Sequence, residues 1–237
     1  MMQVGALYIT NAREFLRDRM SVILVFAMPV TLAVFFGLIF DSGGFQMPGM
    51  LAVAILWLGL FGTAMPLMQL RTSKVLRRLS VTPLRPATML GAQIGWRVTV
   101  GLLQAGLFVL VGYLAFGTGV AGNKLLFTAA VTLGALVFVS MGFLLAGLAS
   151  SEEALMAITQ LLNFPLMMLS GGLFPISQLP SFFKPVVHAS PLTYLTDALG
   201  QLMVGAPGLN PLWLDFAVMG IWFVVLLALG IRFWRWE

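Results

Sequence analysis

Long apolar runs separated by short polar breaks make up most of the chain. Runs of about 20 residues begin near Ser21, Pro48, Thr88, Leu125, Ala154 and Leu212. Each is long enough for a helix to cross a bilayer. Lipid offers the backbone no hydrogen-bond partner, so a crossing segment is either a helix or part of a closed barrel. Barrel strands alternate apolar and polar residues over about ten positions. The runs here are continuous and roughly twice that length, which selects helices. The pattern predicts spans over 21–40, 48–70, 88–116, 125–149, 154–174 and 212–231.

The segments between the runs have their own patterns. Over 3–19, Val4, Leu7, Tyr8, Phe15 and Leu16 recur at helical spacing, while Asn11, Arg13, Glu14, Arg17 and Asp18 occupy much of the rest. This is the signature of an amphipathic helix lying in the membrane interface. The apolar run that follows exceeds the 7–15 residues of a signal sequence and has no small-residue cleavage site after it, so it is read as a retained first span. Ser150-Ser151-Glu152-Glu153 fits a capping box, with Ser150 as the cap and Glu153 reaching back to it. Residues 175–210 are apolar but broken by Pro175, Pro180, Pro185, Pro191 and Pro207. No stretch between these prolines is long enough to cross, so the segment is expected to form short re-entrant or surface helices on the outer side.

Charge sets the orientation. With the N-terminus inside, 11 of the 13 Lys and Arg residues fall on inner segments, and only Lys124 and Lys184 fall on outer ones. The positive-inside rule then places both termini in the cytoplasm, which requires an even number of spans and supports six. Most of the net charge of +5 is explained by this topology, without nucleic acid. Only 9% of residues are charged, against about 25% in soluble domains, too few to cover a water-exposed surface. The expected fold class is an all-α membrane protein. It has six transmembrane helices, an interfacial N-terminal helix, a cytoplasmic helix between spans two and three, and re-entrant short helices between spans five and six.

Candidate chemistry is sparse. No Gly-rich run followed by Gly-Lys-Ser/Thr exists to cradle phosphate, so the chain has no nucleotide site of that kind. Gly43-Gly44 and Gly171-Gly172 read as turn or packing glycines. His188 is the only histidine and there is no cysteine, while metal sites need three or four ligands. No metal, bound cofactor or catalytic residue is expected. Asp41, Asp197 and Asp215 fall at predicted outer ends of spans, as interfacial caps. The span cores carry no acid, which disfavours a proton relay. Arg97, just inside the third span, is expected to snorkel to the inner interface; the same position can meet an anionic headgroup. The chain has 19 Phe and 15 Met, which suits an amphiphilic substrate but equally suits lipid-facing and packed helices.

The most informative stretch is the basic one over 71–86. Val75, Leu76 and Leu79 make one short helical face, and Arg71, Lys74, Arg77 and Arg78 another. Pro83 and Pro86 stop the helix. Such a helix can dock in a groove of a partner protein, or the loop can bind lipid headgroups.

Two motifs resemble the ABC-2 type transporter permeases. Val75-Leu76-Arg77-Arg78-Leu79-Ser80-Val81-Thr82-Pro83-Leu84 is similar to their cytoplasmic coupling segment between spans two and three. Ser170-Gly171-Gly172-Leu173-Phe174-Pro175, followed by Leu179-Pro180 and then Pro191-Leu192-Thr193-Tyr194 and Asp197, is similar to their outer motif after span five. Ser190 stands where asparagine is common, and Met68, Gln69 and Leu70, with no glutamate among them, stand directly before Arg71. With six spans, the resemblance covers 1–237 as a single transmembrane domain.

The resemblance implies the membrane half of an exporter in the cell (inner) membrane, moving a drug, lipid or glycan-lipid. Two permeases, often a homodimer, would pair with a separate ABC nucleotide-binding ATPase subunit that uses ATP and Mg. Lys74, Val75, Leu76, Arg77, Arg78, Leu79, Thr82 and Pro83 would transmit the ATPase stroke. Gly171, Gly172, Phe174, Pro175, Pro191, Leu192, Thr193, Tyr194 and Asp197 would form the re-entrant region near the outer exit. A non-transporting membrane scaffold is the alternative.

Overall fold

A computed structural model describes residues 2–39, 47–73, 86–171, 180 and 183–233. Among the described residues all regular structure is helical. The helices are α1 (Met2–Arg17), α2 (Arg19–Ile39), α3 (Met47–Thr72), α4 (Pro86–Phe116), α5 (Lys124–Leu148), α6 (Glu152–Leu169), α7 (Lys184–Ala189), α8 (Pro191–Val204) and α9 (Leu212–Phe233). Five stretches are long and apolar enough to cross a membrane: α2, α3, Gly91–Phe116 of α4, α5 and α9. The sequence predicts six. The missing one is α6, which has 18 residues and carries Glu152, Glu153, Thr159, Gln160 and Asn163. Its apolar content is diluted by a stripe of polar side chains that the structure puts to use.

Helices α3 and α5 form the centre. In each, 72% of the most apolar window is buried, against 17% for α2 and 22% for α9. The pair can approach closely because glycine faces glycine. A Cβ on Gly59 would lie 2.3 Å from the Phe138 carbonyl carbon, and a Cβ on Gly142 would lie 2.3 Å from the Gly59 carbonyl oxygen. Lipid tails are as apolar as side chains, so close van der Waals packing is what holds helices together in a bilayer. Around this pair, α9 packs on α5, while α8 packs on α3, α5 and α9.

The N-terminal helix uses its aromatic stripe as the pattern predicts. Tyr8 stacks edge-on against Trp96 at 5.5 Å, and Phe15 contacts Trp96 and Phe26 at 5.8 and 6.2 Å. The Tyr8 hydroxyl donates to Thr99 Oγ1 at 2.8 Å. Helix α1 is thereby fixed to α4 and to the start of α2. Leu16, assigned to that stripe from sequence, is 65% exposed instead. Between α1 and α2, the Asp18 carboxylate accepts from both the hydroxyl and the backbone N–H of Ser21. These two bonds hold the carboxyl below its ordinary range.

The cap of α6 lies one residue later than the capping-box pattern predicts. Ser151, not Ser150, accepts from the Ala154 N–H at 3.1 Å. Ser151 has the extended backbone of a cap, which lets its hydroxyl reach the third helical N–H. Helix α6 also ends earlier than the predicted 174. Gly171 adopts φ 79°, the left-handed conformation that stops helices and that glycine takes without strain.

Candidate functional site

A cavity of about 500 Å³ lies between α2, α3, α4 and α6. Helices α2 and α6 both pack on α3 but have no comparable contact with each other, and the cavity occupies the gap between them. Leu24, Val25, Met28 and Pro29 of α2 and Leu58 and Phe61 of α3 form an apolar wall. Leu24 and Met28 are about half exposed, so the cavity opens along α2.

Amide side chains set into this wall supply its polarity. Trp57 donates its indole N–H to Asn163 Oδ1 at 3.0 Å, tying α3 to α6. Gln104 of α4 donates to the Val25 carbonyl at 2.7 Å; its own Oε1 is buried without a partner. Gln160 lines the cavity and is exposed to it. An exposed amide in the middle of a membrane helix is unfavourable against lipid and favourable beside a polar cavity.

The Arg97 side chain lies against α3. Its Nη1 lies 3.3 Å from where a Cβ on Gly62 would sit, and Gly62 is part of the cavity lining. Gly62 is ten residues from the end of α3 at Thr72, about 15 Å by helical rise. Its neighbours Trp96 and Thr99 contact Tyr8 of α1, so Arg97 sits at the level of that helix while its guanidinium leans on α3.

At the C-terminal end of α3, Arg71 corrects an expectation. Sequence places it on the basic face of the coupling helix. In the structure it belongs to α3, and its guanidinium donates to the carbonyls of Ala149 at 3.0 Å and Ala146 at 3.4 Å. These are orphan carbonyls at the end of α5, where a cation also complements the helix dipole. Thr72 donates to Glu152 at 3.0 Å. The ends of α3 and α5 and the start of α6 are thus joined. Arg71→Gln is expected to lose about 1–3 kcal/mol of stability, read as a lower melting temperature in detergent; an unchanged melting curve would remove this bracing role.

The proposed coupling residues Lys74, Val75, Leu76, Arg77, Arg78, Leu79, Thr82 and Pro83 lie outside the described residues, as do Gly172, Phe174 and Pro175 of the outer motif. The remaining outer residues are placed. Pro191 opens α8, where its missing N–H costs no helical bond. Leu192 and Thr193 are buried. The Tyr194 hydroxyl donates to the His188 carbonyl at 2.7 Å, joining α7 to α8. Asp197 accepts from the backbone N–H groups of Leu209 and Asn210, both at 2.9 Å.

Asp215 departs from its expected place as an interfacial cap. It is fully buried and accepts from Gln201 at 3.2 Å and Asn210 at 3.5 Å. These residues knit the α8–α9 connection together. Among the described residues, no cluster of three or more His, Cys, Asp or Glu is arranged to hold a metal ion.

The chain is similar in sequence to several transport proteins and to a nodulation protein. It is 29% identical to nodulation protein J of Rhizobium meliloti (strain 1021) over 116 residues, 48% of this chain and 44% of that protein. It is 26% identical to the inner membrane transport permease YhhJ of Escherichia coli (strain K12) over 170 residues, 70% of this chain and 46% of that one. With ABC transporter G family member 20 of Dictyostelium discoideum the identity is 23% over 190 residues, 79% of this chain and 26% of that protein. The chain thus spans less than half the length of each. The model of the ABC-2 type transporter family matches residues 2–204. With its multiple membrane-crossing helices, the chain is a multi-pass membrane protein that belongs to the ABC-2 type transporter family.

Proposed function

We propose that this chain is the transmembrane permease subunit of an ATP-driven exporter, and that the cavity between α2, α3, α4 and α6 is part of its substrate path. The substrate is amphiphilic or hydrophobic, of the drug, lipid or glycan-lipid class. The observation that carries this reading is the cavity itself. Its volume of about 500 Å³ falls within the range of small-molecule sites, and amides in an apolar wall suit an amphiphile. A scaffold has no use for such a cavity in the middle of its spans.

In this reading α6 is the sixth crossing, its polar stripe turned to α3 and the cavity, and both termini face the cytoplasm. The location is the inner membrane, as the name of the Escherichia coli relative supports. Segment 74–85 docks on a separate ABC ATPase subunit, and two permeases pair. Helix α2 exposes Ile23, Phe35 and Leu38, and α6 exposes Leu161 and Phe164; these apolar residues suit a second permease or lipid.

Co-expression with an ABC ATPase subunit is expected to yield a complex whose ATP hydrolysis rises with added amphiphile. Filling the cavity by Met28→Trp is expected to remove that stimulation while leaving the complex assembled. Stimulation that survives the filling would place the substrate path elsewhere.

A further inference from the structure

We propose that Arg97, which lies against Gly62 at the edge of this cavity, binds the anionic group of an amphiphile whose chain sits on the apolar wall. This rests on the permease reading above and names the ligand class for the same cavity.

Positions 97, 101 and 104 share one face of α4, being spaced four and three residues apart. Gln104 faces the cavity, and the other two lie against residues that line it. A Cβ on Gly101 would lie 3.4 Å from Leu58, a lining residue, and Arg97 lies against Gly62, another. The absence of a side chain at Gly62 gives the guanidinium its place.

The charge there is unbalanced. Arg97 Nε is enclosed and has no hydrogen-bond partner. Among the described residues no carboxylate forms an ion pair with it. Of the eight acidic residues, Glu14, Asp18, Glu152, Glu153, Asp197 and Asp215 are described, and segment 74–85 contains none. A cation held in a membrane helix without an anion is costly, and such a residue marks a ligand or ion path. An anionic ligand offsets that cost; a cationic one is repelled.

The rest of the cavity fits an amphiphile in a fixed direction. Gln104 stands seven residues from Arg97 along α4, about 10 Å by helical rise. Its unpartnered Oε1 can accept from a hydroxyl or amide in the ligand's linker. Beyond the charged end, Leu24, Val25, Met28, Pro29, Leu58 and Phe61 offer an apolar surface for a chain.

The test uses the purified full chain in neutral detergent and fluorescent lysophosphatidylglycerol, compared with an uncharged monoacylglycerol of the same chain length. The anionic lipid is expected to bind about tenfold more tightly, as one charge-assisted contact provides. Arg97→Gln is expected to abolish that preference, bringing the anionic lipid down to the affinity of the uncharged one, while Arg97→Lys keeps most of it. Gly62→Val, which crowds the guanidinium from the facing helix, is expected to weaken the preference with Arg97 intact, and serves if Arg97→Gln fails to fold.

A folded Arg97→Gln that keeps the full preference overturns the proposal, as does equal affinity for both headgroups in the natural protein; neither touches the permease reading. In vesicles with the ATPase, ATP-driven movement of the bound anionic lipid identifies it as cargo, and retention identifies it as a structural lipid; the anion site stands in both cases. An intact preference with no ATP-driven movement of any amphiphile overturns the permease reading alone.

Discussion

Gly142→Leu is expected to abolish the folded, monodisperse protein, and Gly59→Leu to do the same. A Cβ at either position would lie 2.3 Å from backbone atoms of the facing helix. A flexible side chain can swing aside from such a contact, but a helix backbone cannot. The α3–α5 pair would have to separate along its length, and the packing that replaces hydrophobic driving force in lipid would go with it. Overpacking a core typically costs about 1–3 kcal/mol, and more when backbone must move; here α6, α8 and α9 also pack on the separating pair. The check is size-exclusion and thermal melting in detergent. Gly220→Leu, where a Cβ meets nothing within 4 Å, is the control and is expected to behave like the natural protein. Natural melting behaviour in Gly142→Leu would show that the two helices do not cross at these glycines.

The second large effect is functional. Arg77→Glu with Arg78→Glu is expected to reduce ATP-driven transport more than tenfold while the partner ATPase keeps its basal hydrolysis. Under the proposed coupling role, these charges face the ATPase across a protein interface. Losing one side of a close charge pair there costs about 2–5 kcal/mol, and reversal adds repulsion. The neighbouring geometry gives the coupling a route. Segment 74–85 links α3 to α4, and Arg71 and Thr72 join the end of α3 to α5 and α6. Displacing that joint moves α3 and α6 together, and both line the cavity. Transport that stays coupled in the double variant would move the docking site off this segment.

Much of the fold was legible because lipid leaves the backbone so little choice. Apolar runs over 21–40, 48–70 and 125–149 became α2, α3 and α5, with ends within two residues of the predicted ones. The aromatic stripe of α1 was legible because helical spacing alone places Tyr8 and Phe15 on one face. Helix α6 was over-extended because an apolar run does not announce a left-handed glycine, and Gly171 stops it.

The cavity was not read from the sequence at all. The cores of the predicted spans carry no acid that would mark it. The available signal was the amides, since Gln104, Gln160 and Asn163 each sit mid-helix, where lipid would not tolerate them unsatisfied. Their convergence is a tertiary fact: Trp57 and Asn163 are 106 positions apart. Arg71 shows the same limit. Its place among other basic residues pointed to a docking face, yet its partners lie 75 and 78 residues away. Asp215 was legible as a helix-start acid, but its complete burial depends on Gln201 and Asn210 reaching it from outside α9.

The most direct measurement is movement of a fluorescent amphiphile across proteoliposomes that contain this chain and the proposed ABC ATPase partner. ATP is expected to drive the amphiphile across the bilayer, the vanadate-inhibited complex to stop it, and Met28→Trp to slow it severely. An assembled complex that hydrolyses ATP yet moves no amphiphile would contradict the account and leave the chain as a membrane scaffold.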